Sequence, residues 1–349
     1  MRPILKVGAN PDMNRNKLID ALKGYACLLV VFGHVIIGIR TAGAPVPAFM
    51  ETAERFIWSF HIDLFMFLSG FVYTLTGGRR GKGRLAFLRD KLLSLGIPYL
   101  FFSCLYITVN CLAPGVNNPA SFTDMLFLWR TPIAQYWFLY ALLWLFVLWT
   151  LLPDRLPNAA KTALLYGVFL LCKVLGLDMG VLDSSMNCVL AFGLGTCLHS
   201  LPIERVPLPA RLAVLPVHVG VTLWAIGSGR INRLLADDLV TVLGIAASVC
   251  FIYTVTRAAA VRRFLEFICK YSFQIYLLHT FFTAAVRILL FRLGIAGCPV
   301  HVLAGTVIGV ALPIGAAALA ARSPYTEFFF FPKRALAAIR ARRAGSAQS

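Results

Sequence analysis

Two ionisable residues lie inside the first long apolar stretch of the chain, residues 18–39. Lys23 and His34 are eleven residues apart, about three helical turns, so a helix places both on nearly the same face. An ionisable group at membrane depth is costly and by default marks a functional site. Taken alone, His34 could be a neutral imidazole bonded to a neighbouring helix, and Lys23 could reach the lipid headgroups. The pair on one face favours a site that combines a proton acceptor with a cation.

The second apolar stretch, residues 56–76, adds His61 and Asp63. If it enters from the opposite surface, His61 lies about 7–8 Å below that surface at about 1.5 Å per residue. The same count puts His34 about 6 Å below it in a hydrocarbon core of about 30 Å. A carboxylate beside an imidazole fixes its tautomer, so the three side chains predict a general-base site. The alternative is a polar clamp between two helices.

Two other groups have both a structural and a functional interpretation. The fourth apolar stretch opens with Gln135, Tyr136, Trp137 and Tyr140, which form either an aromatic belt at the membrane surface or a stacking surface for sugar rings. In the ninth stretch, His279 follows Tyr276 by about one turn, so His279 is either a satisfied interior histidine or part of a pocket.

The loop over residues 77–91 combines glycines with six cations, and four of these stand nearest its glycines: Arg79, Arg80, Lys82 and Arg84. Glycine-rich backbone with cations is suited to phosphate groups. The loop lacks the Walker spacing, and taken alone its charges are also explained as an orientation signal.

Composition places these residues in a polytopic membrane protein. The chain has 349 residues, 59% of them hydrophobic and 14% charged, with a mean hydropathy of +0.78. Lipid requires the backbone of a spanning segment to satisfy its own hydrogen bonds, so we expect an all-α bundle of about ten transmembrane helices. The predicted spans are 18–39, 56–76, 92–112, 136–152, 161–177, 185–200, 209–228, 237–256, 268–290 and 299–321.

The distribution of charge predicts the topology and argues against nucleic acid as a partner. If the N-terminus is cytoplasmic, 24 of the 33 Lys and Arg residues fall in inner segments and 8 in outer ones. This bias predicts that both termini are cytoplasmic. We divide the chain into a cytoplasmic segment (1–17), a transmembrane domain (18–322) and a basic tail (323–349). The nine scattered cysteines contain no CxxC pair, so neither a disulfide framework nor a metal site is predicted.

Five stretches together resemble the acyltransferase-3 family of integral-membrane acyltransferases. They are D-x-L-K-G with V-x-x-x-H in the first span, SFH-x-x-LF-x-FLSGF in the second, RDKLLSLGIPYLFF entering the third, QYWFLYALL in the fourth and S-F-x-IYLLH in the ninth. The second is most similar to the branch that includes fucose 4-O-acetylases. The family signature is an Arg, ten residues and a His; here Lys23 and His34 occupy those positions, and Lys lacks the bidentate fork of Arg. Asp63 stands where similar members carry Pro.

The resemblance implies an O-acyltransferase that moves an acyl group, most simply acetyl from cytoplasmic acetyl-CoA, to a hydroxyl of a surface or lipid-linked glycan. It implies that His34 acts either as the general base or as a transient acyl carrier, assisted by His61 and Asp63. Lys23, Arg79, Arg80, Lys82 and Arg84 would hold the phosphates of CoA. The carbohydrate acceptor would contact Gln135, Tyr136, Trp137, Tyr140 and His279, with membrane lipid as the other partner.

The main rival function is a multi-pass small-solute transporter, which also has spans with polar residues near the membrane midplane. Against it, the two halves of the chain carry no matching pair of spans broken by Gly or Pro. A non-catalytic scaffold of an envelope-assembly complex ranks last, because it leaves Lys23, His34 and His61 without a purpose.

Overall fold

The computed structural model describes residues 15–113, 119–200, 203–230 and 234–346, and every regular element within them is a helix. The α-helices are α1 (Arg15–Thr41), α2 (Ala48–Trp58), α3 (His61–Leu75), α4 (Arg84–Lys91), α5 (Ile97–Leu112), α6 (Trp137–Leu151), α7 (Asn158–Val174), α8 (Asp183–Asn187), α9 (Val189–Leu198), α10 (Leu208–Gly227), α11 (Leu234–Val255), α12 (Ala259–Arg292), α13 (Cys298–Ala320), α14 (Pro324–Glu327) and α15 (Pro332–Ser346). Shorter turns are the π-helical Leu92–Gly96 and the 3₁₀ segments Phe122–Phe127, Ala134–Tyr136, Gly180–Leu182 and Ile203–Arg205.

Fewer helices can cross a membrane than the ten predicted. Among the described residues eight are long and apolar enough, or nine if the bent pair Gly180–Asn187 and Val189–Leu198 forms one span. The difference lies at the predicted fifth and sixth spans. Helix α7 has 17 residues, about 25 Å at 1.5 Å per residue, and falls short of a hydrocarbon core of about 30 Å. Helices α8 and α9 meet at 43°.

The second span is longer than predicted and is broken. It runs from Ala48 to Leu75, but α2 ends at Trp58 and α3 begins at His61. Phe60 leaves the helical region with φ −147°, and its carbonyl accepts the N–H of Leu64 at 2.9 Å. Trp58 and His61 therefore lie on either side of this short irregular segment.

Helix α1 lies at the centre of the bundle, against α3, α12 and α13. Its close approach to α12 depends on Gly24, since a Cβ at this position would overlap the backbone carbonyl of Leu265. Helices α3 and α9 meet through a similar pair, because a Cβ on Gly70 would overlap the carbonyl of Phe192. Glycine lets helix backbones approach closely where lipid provides no hydrophobic drive.

One end of the bundle collects several basic segments, and we call it the basic end. Leu18 at the start of α1 and Phe71 at the end of α3 line the same cavity. The loop after α3 is joined to α15 by Asp90, whose carboxylate lies 2.5 Å from Lys82 Nζ and 2.9 Å from Lys333 Nζ. The start of α1 and the C-terminal helix therefore lie at the same end of the bundle.

Two peripheral segments lie outside the long helices. Residues 121–129 include the 3₁₀ turn Phe122–Phe127, and Leu126 and Trp129 there are 72% and 66% exposed. The basic tail forms α15 as far as the described residues extend.

Candidate active site

Three histidines from three helices meet around one tryptophan, and we call this group the histidine cluster. The imidazole of His34 on α1 lies 4.8 Å from that of His279 on α12, between ring centroids. The indole of Trp58 lies 5.1 Å from His34 and 4.4 Å from His61. The sequence predicted that His34 and His61 lie in one layer, and the structure brings them together. It adds His279 and Trp58 to the same layer.

Each imidazole of the cluster is oriented by its own helix. The Nδ1 atom of His34 lies 2.9 Å from the carbonyl oxygen of Val30, and that of His61 lies 2.8 Å from the carbonyl oxygen of Ile57. Nδ1 of His279 is 2.9 Å from the carbonyl oxygen of Ile275. A carbonyl only accepts, so Nδ1 carries the proton in each ring. A neutral imidazole in this tautomer presents a lone pair at Nε2, the atom that a general base uses.

Burial distinguishes the three rings. His61 and His279 are 0% exposed, and their Nε2 atoms are enclosed without a hydrogen-bond partner among the described residues. His34 is only partly buried. His34 is therefore the imidazole of the cluster that a reactant reaches most directly, and the other two are its neighbours.

Asp63 faces away from these rings. Its Oδ2 accepts a hydrogen bond from Thr241 Oγ1 on α11 at 3.0 Å, and Asp237 and Asp238 of the same helix are its electrostatic neighbours. Asp63 follows His61 by two residues, which is about 200° around a helix. The predicted role of Asp63, to orient His61 or His34, is thus met in the structure by backbone carbonyls.

Lys23 lies at the other end of the seam between α1 and α12. It is close to Asp20 and Cys269, and Cys269 Sγ lies 3.7 Å from Asp20 Oδ1. Eleven residues of helix separate Lys23 from His34, about 16 Å along the axis. A single seam therefore leads from a cation near the basic end to the contact between His34 and His279.

The glycine-rich loop lines a cavity of about 720 Å³ at the basic end, which we call the basic cavity. Gly77, Gly78 and Gly81 adopt positive φ values of 84°, 60° and 74°, which are accessible to glycine without steric cost. Arg79 donates to the backbone carbonyl of Lys82 at 2.9 Å and pairs with Asp154.

Charge in the basic cavity is predominantly positive. Arg79, Arg80 and Lys82 line it from the loop and Lys161 lines it from α7. Arg84, the first residue of α4, is not a lining residue but interacts electrostatically with Asp154, which is one. Of these, Arg80, Arg84 and Lys161 form no ion pair within the described part of the chain. Such a lining suits a ligand with several phosphate oxygens.

Asp154 is the carboxylate in this lining. Its hydrogen bond from Arg79 lowers the pKa of the Asp154 carboxyl below its ordinary value of 3.8. Asp154 therefore remains ionised at neutral pH and holds Arg79 in place.

Sequence reasoning missed the residues that other segments contribute to the basic cavity, among them Asn158, Lys161 and His199. Lys161 stands at the start of the predicted fifth span, where a single cation suggests only an orientation charge. Nothing in the spacing of residues 79–84 and 161 indicates that they meet. Sequence reasoning also missed Trp58, although a large aromatic residue about one turn before His61 indicates a possible contact with that imidazole.

The segment just before α6 forms hydrogen bonds to α12 beside His279. Gln135 Nε2 donates to Thr280 Oγ1 at 2.8 Å, and the Gln135 carbonyl accepts from Tyr276 Oη at 2.6 Å. The side-chain oxygen Oε1 of Gln135 is buried without a partner among the described residues. Ala134, just before it, has φ +47°, which is sparsely populated for a residue with a Cβ. Gln135 is thus held next to the histidine cluster with one acceptor unused.

The aromatic residues of this segment form hydrogen bonds and packing contacts within the bundle. Tyr136 Oη donates to the carbonyl of Leu277 at 2.8 Å, and Tyr140 Oη donates to the carbonyl of Trp129 at 3.0 Å. Trp137 packs against the main hydrophobic core. Tyr136 and Tyr140 therefore tie α6 to its neighbours through their polar atoms.

Comparison with known proteins agrees with this geometry. Residues 16–319 match the family Acyl_transf_3, described as an acyltransferase domain. Nodulation protein NolL from Sinorhizobium fredii (strain NBRC 101917 / NGR234) is 32% identical over 141 residues, which are 40% of this chain and 37% of NolL. The chain thus spans little more than a third of that relative in the match. No solved structure matches the chain.

The family match covers the histidine cluster, the seam that leads to Lys23, and the basic cavity. It confirms the resemblance found in the sequence motifs. The eight or nine candidate spans are consistent with a protein embedded in lipid. The chain therefore belongs to the acyltransferase-3 family, carries its acyltransferase domain over residues 16–319 and is built as an integral membrane protein.

Proposed function

We propose that the protein transfers an acetyl group from cytoplasmic acetyl-CoA to a hydroxyl of a cell-surface or lipid-linked glycan. The observation that carries the proposal is the arrangement of two sites at opposite ends of the same helices. The basic cavity contains Tyr73 near the end of α3, and the histidine cluster contains His61 at its start. Twelve residues of helix separate them, about 18 Å.

In this proposal the basic end faces the cytoplasm of a bacterial cell, because cytoplasmic segments carry the excess of Lys and Arg. Arg79, Arg80, Lys82, Arg84 and Lys161 hold the phosphate groups of CoA through charge-assisted hydrogen bonds. Lys23, near the same end of α1, attracts the anionic donor through its charge. The thioester then lies near His34, and the nucleotide stays at the cytoplasmic surface.

His34 Nε2 takes the proton from the acceptor hydroxyl as its oxygen attacks the thioester carbonyl. The carbon–sulfur bond breaks, and the sulfur leaves with the electron pair and takes up a proton from His34. The alternative is attack by Nε2 itself, followed by transfer of the acyl group to the hydroxyl. In both routes His61 and His279 exclude water and hold His34, and the free Oε1 of Gln135 accepts a hydrogen bond from the glycan.

The test is acetyl transfer by purified protein in detergent. His34→Ala should lower the rate of CoA release with an acceptor by about 100-fold or more, the typical contribution of a general base. His301→Gln provides a matched control, because His301 is also a buried membrane histidine but its partner is the Ile295 carbonyl on another part of the bundle. Retained activity in the His34 variant removes this residue from the chemistry.

The acceptor is tested separately in cells. Mass spectra of envelope glycans, with the wild-type protein and with His34→Ala, should differ by the mass of acetyl groups in one glycan. A wild-type protein that releases no CoA with any envelope acceptor favours the transporter instead.

A further inference from the structure

A second large cavity lies apart from both proposed sites. It encloses about 960 Å³ and is bounded by α1, α3, α9 and α11 and by the segment before α10. Leu18 and Leu22 line it from α1, and Phe67 and Phe71 line it from α3. Leu22 precedes His34 by twelve residues, about 18 Å along the axis. We call it the amphipathic cavity, since its lining changes from apolar to polar along its length.

The polar part of the amphipathic cavity lies at the basic end. Ser200, Glu204 and Arg205 line it there, and Tyr253 lines it near the end of α11. The apolar wall continues along α11 to Val242, eleven residues before Tyr253, which is about 16 Å of helix. A cavity that is polar at a membrane surface and apolar toward the midplane matches the polar headgroup and the apolar acyl chains of a lipid.

A buried cation stands behind this polar part. Arg211, in the first turn of α10, is 2% exposed, and its Nε and Nη1 atoms have no hydrogen-bond partner within the described residues. Its guanidinium lies 4.8 Å from the ring centroid of Tyr253. The hydroxyl of Tyr253, itself 1% exposed, also lacks a partner among those residues.

Buried charges and buried donors are costly when they have no partner. Arg211 forms no ion pair with a carboxylate in the described part of the chain, and neither does Arg205. Glu204 is the carboxylate in the lining and opposes an anion there. With Arg205 and Arg211 the local balance is still positive, which favours an anionic ligand.

We propose that the amphipathic cavity binds an anionic phospholipid from the surrounding leaflet. An acyl chain fills the apolar wall between Phe67 and Val242. The headgroup phosphate accepts hydrogen bonds from Arg211, from Tyr253 Oη and from Arg205 at the mouth. The inner leaflet, which the basic end faces, supplies such lipids. This site is independent of the acetyl donor and acceptor.

Native mass spectrometry of the purified protein tests the site. The probes are phosphatidylglycerol and phosphatidylcholine with identical oleoyl chains, added in equal amounts to delipidated protein. The wild type should retain phosphatidylglycerol about tenfold more strongly, because that lipid carries a net negative charge and phosphatidylcholine carries none. Arg211→Gln should abolish this preference, and Tyr253→Phe, which removes a donor to the phosphate of either lipid, should weaken binding of both. Ala246→Trp, which fills the apolar part, should weaken binding of both lipids.

Arg230→Gln is the matched control. Arg230 follows the other end of α10 and also lies 4.8 Å from an aromatic ring, that of Trp224, but it is exposed. It should retain the wild-type preference. Equal retention of the two lipids by wild type, or an unchanged preference in Arg211→Gln, overturns the proposal. If Arg211→Gln does not fold, unchanged binding of both lipids in Tyr253→Phe and in Ala246→Trp does so.

Discussion

At the scale of single residues, backbone carbonyls orient the three imidazoles of the histidine cluster. A histidine with a neighbouring carboxylate suggested a pair in which Asp63 fixes the tautomer. In the folded chain His34 and His61 each bond the carbonyl four residues earlier, which a helix offers at every position. The local sequence therefore identifies the chemistry-bearing histidines. It does not reveal their hydrogen-bond partners, because every residue type has the same backbone carbonyl.

The position of Asp63 leads to a prediction that separates structure from catalysis. Asp63→Asn keeps an acceptor for Thr241, so it should cost about 1 kcal/mol of stability or less, the worth of one hydrogen bond. The rate of acetyl transfer should stay within about tenfold of wild type, since a change of 1.4 kcal/mol corresponds to a factor of ten. Thermal unfolding in detergent and initial rates measure the two quantities. A rate as low as that of His34→Ala places the Asp63 carboxylate in the reaction.

At the scale of the helices, hydrophobic runs predicted most spans but not where they break. The first four and last four predicted spans each overlap a helix that can cross the membrane. The turn at Ser59 and Phe60 has neither Gly nor Pro, so nothing local predicts it. The fifth and sixth stretches have enough apolar residues for spans, but their helices are too short or bent.

Gly24 allows a prediction about the packing of α1. Gly24→Leu forces α1 away from Leu265 and α12, so it should separate His34 from His279 and lower activity strongly. Its stability cost is expected at about 1–3 kcal/mol, as for overpacked sites. Gly220→Leu on α10 is the control, because no atom outside its own helix lies within 4 Å of a Cβ there. The melting temperature and the transfer rate should fall together in the first variant and stay unchanged in the second. Equal behaviour of the two variants refutes a packing role for Gly24.

At the scale of the whole molecule, the basic cavity and the histidine cluster lie toward opposite ends of α3. The count of Lys and Arg predicted that the basic loops and both termini share one side, and the contacts of the described residues place the start of α1, the basic loop and α15 together. Which cations converge on one cavity was not predictable. Lys161 reaches the loop residues only because α7 returns beside the end of α3, and Asn158 at the start of α7 lies 3.5 Å from Thr74.

Lys161 therefore provides a test of the donor site. Lys161→Gln should raise the KM for acetyl-CoA about tenfold and leave kcat nearly unchanged, because it removes a charge that binds the donor equally before and during the reaction. Added salt should weaken donor binding by the wild type more than by the variant. Kinetics at low and high ionic strength measure both effects. An unchanged KM indicates that the donor phosphates lie elsewhere.

The ion pair between Arg79 and Asp154 predicts how donor binding responds to acid. A carboxyl with a lowered pKa keeps its stabilising charge above the ordinary value of 3.8 and loses it only as the pH falls through the lowered pKa. The loop should therefore hold its shape across neutral and mildly acidic pH. The affinity for a non-hydrolysable acetyl-CoA analogue, measured by calorimetry, should be constant over that range. Asp154→Asn removes the ion pair with Arg79 at every pH, so its affinity should differ from that of the wild type by the same factor across this range, with the histidine cluster unchanged.

The distance of about 16 Å from Lys23 to His34 has a consequence for how the cell modifies its exterior. In the proposed reaction neither the nucleotide nor the sugar changes compartment, and only the acetyl group passes from one side of the membrane to the other. A small uncharged acyl fragment faces far less of a dielectric barrier than a phosphate or a polyol. The export step is then driven by the breaking of the thioester itself, and no ion gradient has to be coupled to it.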